Sequence, residues 1–94
     1  MLIVSAPFTC PTCDAEGANA DAECDDNIEF KPCLMETDPV CVLAVITPSR
    51  PMKIRARYCA SREFYNLMKA RCKAKGTCVV VMCDTPGCKV ELPA

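Results

Sequence analysis

The chain is 94 residues long, carries a net charge of −1, and holds ten cysteines but no histidine. One core of that size buries too little apolar surface to offset the entropy of ordering the chain, so the cysteines must contribute. Their density points to a disulfide scaffold in an oxidising, extracytoplasmic compartment, and the absence of histidine weighs against zinc.

Further classes are excluded by what the residues lack. No run approaches the roughly 18 apolar residues of a membrane span. The first nine residues, MLIVSAPFT, are too short for a secretory signal, so the chain is expected to be already processed. Ser5, Ser49 and Ser61 have no histidine to activate them, and no catalytic constellation or cofactor site is expected. Asp21, Glu23 and Asp25 begin an EF-hand-like count, which fails where Asp26 replaces the glycine and Pro32 the final glutamate. Nucleic acid is a poor partner for a chain of near-zero net charge with few aromatic platforms.

That net charge hides an asymmetry. Nine acids and one lysine precede Ser49, while ten basic and three acidic residues follow from it, giving −8 against +7. The halves should attract, either within one molecule or between partners.

In chain order, CPTCDAEGANADAEC from Cys10 to Cys24 is small and acidic and reads as a loop or short hairpin held by its cysteines. Lys31-Pro32 and Asp38-Pro39 punctuate the next stretch. VCVLAVIT, from Val40 to Thr47, is a β-branched run of strand length, and Pro48 to Pro51 is a turn. MKIRARY returns as a second strand, with Met52, Ile54, Ala56 and Tyr58 on one face and Lys53, Arg55 and Arg57 on the other. Behind a Ser61 N-cap, the spacing of Phe64, Leu67, Met68 and Cys72 predicts a helix over 62–73, with Gly76 as its stop. TCVVVMC reads as a buried strand, and Asp84 to Gly87 as a turn between two cysteines.

Ten cysteines leave the pairing open on count alone. Their order, Cys10-x2-Cys13, then Cys24, Cys33, Cys41, Cys59, Cys72, Cys78 and Cys83-x4-Cys88 with a hairpin between the fifth and sixth, resembles the three-finger superfamily of lymphocyte-antigen-six and urokinase-receptor (LU) domains. The resemblance spans Cys10 to Cys88 and implies a single domain over 1–94, mainly antiparallel β, with a short helix in the third finger. It also implies five disulfides: Cys10 with Cys41, Cys13 with Cys24, Cys33 with Cys59, Cys72 with Cys78, and Cys83 with Cys88. Lys89 follows Cys88 where the family usually has asparagine. An ammonium cannot accept a hydrogen bond, so the closing loop must be fastened differently.

The resemblance further implies a non-enzymatic protein-binding module, secreted or formerly lipid-anchored at the cell surface. Its expected contacts are Arg50, Met52, Lys53, Arg55 and Arg57 on the middle finger, facing an extracellular protein with an acidic surface. The three strand cations are expected in solvent, where charge reversal should spare the fold. Two alternatives are a secreted inhibitor of an extracellular enzyme such as a phospholipase, and a structural protein whose acidic and basic halves associate between copies.

Overall fold

The computed structural model describes residues 8–34, 37–49 and 52–92. Its elements run β1 (Thr9–Glu16), α1 (Ala20–Asp25), β2 (Glu29–Pro32), β3 (Pro39–Ser49), β4 (Met52–Ser61), α2 (Arg62–Lys75) and β5 (Cys78–Cys83). The five strands form one antiparallel sheet in the order β2-β1-β4-β3-β5. The fold is small, disulfide-rich and mainly β, with a helix late in the chain.

β3 and β4 pair as the sequence predicts, with Cys41 opposite Cys59, Ala44 opposite Ala56 and Ile46 opposite Ile54. The expected turn over Pro48 to Pro51 is corrected at its start, where Pro48 and Ser49 prolong β3 past a register shift and Ser49 pairs with Met52; Arg50 and Pro51 lie outside the described residues. β1 changes partner midway: Thr9 to Thr12 pair with β2, whereas Cys13 to Glu16 pair with β4. The Cys10–Cys24 segment is therefore most of a strand and a helix rather than the expected loop or short hairpin. Sequence periodicity missed this because the segment has so few large apolar residues.

Period-two alternation puts Val40, Val42 and Ala44 of β3 on the same sheet face as Ala60 of β4 and Val80 of β5, and these residues form the buried core. α2 covers that face. Ser61 caps it, its Oγ accepting from the Phe64 N–H at 3.1 Å, and Gly76 ends it in the left-handed conformation (φ 70°) that a residue with a Cβ adopts at a cost. The buried stripe of α2 is Tyr65 and Cys72, with Met68 partly buried between them. Phe64 and Leu67, expected on the apolar face, are more than half exposed at 51% and 56%. Helical spacing admits both stripes. Tyr65 wins because its ring lies one position round, over the sheet.

All ten cysteines are paired, joining Cys10–Cys41, Cys13–Cys24, Cys33–Cys59, Cys72–Cys78 and Cys83–Cys88. Cys72 and Cys78 can meet across so short a loop because the chain reverses at Gly76, whose N–H donates to the Cys72 carbonyl at 2.8 Å. The closing turn is fastened through backbone, the Gly87 N–H donating to the Thr9 carbonyl at 2.7 Å. A further tie runs through Arg57.

Candidate protein interface

Alternation places Lys53, Arg55 and Arg57 together on the sheet face opposite α2. Leu43, the cross-strand partner of Arg57, is fully buried there. The expectation that these cations stand in solvent is corrected for the two arginines: Arg55 is 5% exposed and Arg57 1%.

The cover is α1. Cys13 pairs with Arg57 in the β1–β4 register, and its disulfide to Cys24 sets α1 directly over the arginines. Ala20 and Cys24, four residues apart, are the helix's buried positions, so Asp21 and Asp25 follow one another down the adjoining face. Asp25 receives a two-pronged contact from Arg55, Nε to Oδ1 at 3.0 Å and Nη2 to Oδ2 at 3.1 Å. Arg57 reaches the same Oδ1 from Nη2 at 3.3 Å and Glu91 at 3.5 Å, and its Nη1 donates to the Val90 carbonyl. Lys53 pairs with Asp21 at 2.9 Å while its side chain stays 38% exposed. The Oδ1 of Asp21 is sealed from solvent with no hydrogen-bond donor, and Arg55 Nη1 faces it at 3.6 Å.

Burial raises the pKa of the Asp25 carboxyl, but the hydrogen bond and charge of Arg55, followed by the charge and hydrogen bond of Arg57, outweigh it and hold the pKa below 3.8. Two guanidiniums packed side by side on a strand would repel. Asp25 between them turns that repulsion into a clamp joining β4, α1 and the C-terminal segment.

Of the other expected contacts, Met52 is exposed at 43%, and Arg50 lies outside the described residues. The basic character that β4 hides reappears on α2. Arg62, at its start, pairs with Asp38 at 3.0 Å and Asp84 at 3.2 Å, and these hydrogen bonds, that to Asp38 first, raise the guanidinium pKa. Beyond it, Lys69, Arg71, Lys73 and Lys75 have no acid within ion-pair distance among the described residues, whereas every other described cation has one. Arg71, Lys73 and Lys75 flank an exposed stripe of Leu67, Ala70 and Ala74, while Lys69 turns toward the packed side, its Nζ 5.9 Å from the centre of the Tyr65 ring.

Beside α2, on the same sheet face, lies a trough that none of the described residues covers. Two contiguous cavities of about 500 and about 340 Å3 share Asp14 in their lining. The half-buried Ile54, Ala56 and Tyr58 form the floor; Asp14 and Glu16 make one stretch of the rim acidic, while Glu29 further along it is paired with Lys31 at 3.9 Å. Asp14 and Glu16 have no cation beside them among the described residues. Tyr58 closes the side toward α2, its hydroxyl donating to the Met68 Sδ at 2.8 Å, and burial raises its pKa above 10.0.

Three clusters bring candidate metal ligands together: Cys10 with Cys33 and Cys59, Cys41 with Cys83 and Cys88, and Cys13 with Cys24 and Asp25. Every sulfur in them is already bonded to another sulfur, so none offers a thiolate.

The chain matches no protein-family model, no curated protein and no solved structure.

Proposed function

We propose that this chain is a three-finger protein of the lymphocyte-antigen-six and urokinase-receptor superfamily, a non-enzymatic module that binds an acidic protein surface outside the cell. Support for the family comes from five bridges in the order the resemblance implies, set on a five-stranded antiparallel sheet. The fully paired cysteines are compatible with an extracellular setting. No helix among the described residues is long and apolar enough to cross a membrane.

The observation that carries the binding reading is the exposed face of α2, where Arg71, Lys73 and Lys75, without an acid partner among the described residues, flank an apolar stripe. Cations of this kind steer an acidic partner into contact, and Leu67 with its alanine neighbours supplies surface to bury once it arrives. Met52 and the half-exposed Lys53 remain accessible at the middle finger. Arg55 and Arg57 belong to the scaffold in this reading.

The test compares the wild type with Arg71→Glu/Lys73→Glu, each immobilised and exposed to extracellular fluid. Acidic proteins should be retained by the wild type, released as salt rises, and passed by the variant. Equal, salt-insensitive capture by both would remove α2 from the contact and sink the reading.

A further inference from the structure

The charges left over after internal pairing are largely segregated. Unpaired cations lie in the second half of α2, whose single acid, Glu63, is also unpaired but sits in its first turn; the other unpaired acids among the described residues, Asp14, Glu16, Glu23 and Asp26, lie on β1, on α1 and at the α1 C-cap. Two of these acids, Asp14 and Glu16, rim the trough. Each surface has the chemistry the other lacks: an exposed apolar stripe between cations, and an apolar floor between acids.

Position adds a second constraint. α2 packs over Val40, Val42, Ala44 and Val80, and the trough floor of Ile54, Ala56 and Tyr58 is on that same sheet face, further toward β1. Asp14 lies opposite Ala56 and Glu16 opposite Ile54 in the β1–β4 register. The basic end of α2 leads through Gly76 to Cys78, which pairs with Ile46, itself the partner of Ile54. The cations of α2 and the acids of the trough are therefore level with each other along the strands.

From this juxtaposition we propose that two copies of the chain pair face to face about a twofold axis parallel to the strands, each laying its α2 in the other's trough. Rotation about such an axis exchanges the helix side of the face with the trough side and keeps the level along the strands. Both contacts form at once, and the assembly closes at two. Lys73 and Arg71 of one copy then face Glu16 and Asp14 of the other, over Leu67, Ala70 and Ala74 seated on the trough floor. The pairing rests on the reading of α2 as a contact face and names an occupant for it.

Sedimentation velocity over a range of protein concentrations, at about 0.02 M and about 0.5 M NaCl, tests it, because contacts between rim charges weaken with screening. The wild type should form dimers and nothing larger at low salt, and monomers at high salt. Arg71→Glu/Lys73→Glu alone and Asp14→Lys/Glu16→Lys alone should each be monomeric, since both then set like charges together. An equimolar mixture of the two should recover a heterodimer, in which every reversed helix meets a reversed trough. A monomeric wild type at low salt, association indifferent to either reversal, or a mixture that stays monomeric would each overturn the proposal. Retention of the wild type but not the α2 variant on polyglutamate-coated beads reports separately on α2 as a contact for acidic surfaces. A monomeric wild type defeats the dimer however the beads behave.

Discussion

Two basic segments, Lys53 to Arg57 on β4 and Lys69 to Lys75 on α2, look alike in the sequence and end in opposite circumstances. The first has its arginines under α1, where they hold Asp25, Glu91 and a backbone carbonyl. The second stands in solvent with no acid beside it among the described residues. What separates them is one disulfide: Cys13–Cys24 brings an acidic helix over one sheet face, and among the described residues no corresponding element covers the outside of α2. A run of cations thus becomes a surface or a strut according to what the chain lays over it.

The largest effect should come from reversing the covered pair. Arg55→Glu/Arg57→Glu buries two carboxylates against Asp21, Asp25 and Glu91. Because these acids are themselves partly exposed, the loss should approach but not exceed about 3–5 kcal/mol, the cost of breaking a fully buried ion pair on one side. Urea denaturation should find this variant unfolded or severely destabilised. A variant as stable as the wild type would show that α1 does not cover the arginines.

Next is the pH dependence of the clamp. Asp25 titrates below 3.8 in the folded protein, so its contribution is present above the unfolded pKa and is lost as pH falls through the lower, folded value. Asp25→Asn should be less stable than the wild type at neutral pH, and the gap should narrow below about pH 4. A gap that stays constant through acid would show that Asp25 carries no paired charge.

A smaller loss, about 1 kcal/mol, is expected for Ser61→Ala, which deletes the hydroxyl that accepts from the first turn of α2. Thermal unfolding checks it, and no change would mean that the helix needs no cap. The smallest effect belongs to the exposed segment. Arg71→Glu/Lys73→Glu should change stability by about 0.5–1 kcal/mol, because exposed charges matter little and only their match to the helix C-terminus is lost. A loss rivalling that of the β4 reversal would erase the distinction between the two segments.

How much of this was legible depends on whether the signal is local. The β3–β4 hairpin, the Ser61 cap and the Gly76 stop are written in short-range periodicity and turn chemistry, and they stand where the sequence places them. The five bridges also stand as the family resemblance implies, though the cysteine count alone leaves them open. The fate of Arg55 and Arg57 is not local: their partners Asp21 and Asp25 lie some thirty positions earlier, in a six-residue helix too short to announce itself by amphipathic pattern. Alternation told which face the arginines share but not what covers that face. On α2, the choice between Tyr65 and Phe64 was invisible for the same reason, since the side that packs is set by the sheet beneath.

The cystine clusters bear on how such a chain is made. The Cys10–Cys41 bridge abuts two others: Cys10 Sγ lies 3.5 Å from Cys33 Sγ, and Cys41 gathers with Cys83 and Cys88. A thiolate at any of these sites has a sulfur of the neighbouring bridge within 4.8 Å, and exchange needs only attack on that disulfide. Oxidation during biosynthesis should therefore populate swapped isomers such as Cys10–Cys33, already close to native shape and slow to leave. Recombinant yield should depend on an isomerase or a glutathione shuffling buffer more than on the oxidant, and peptide maps of material made without either should find the errors in these clusters and spare Cys72–Cys78, which lies apart from them.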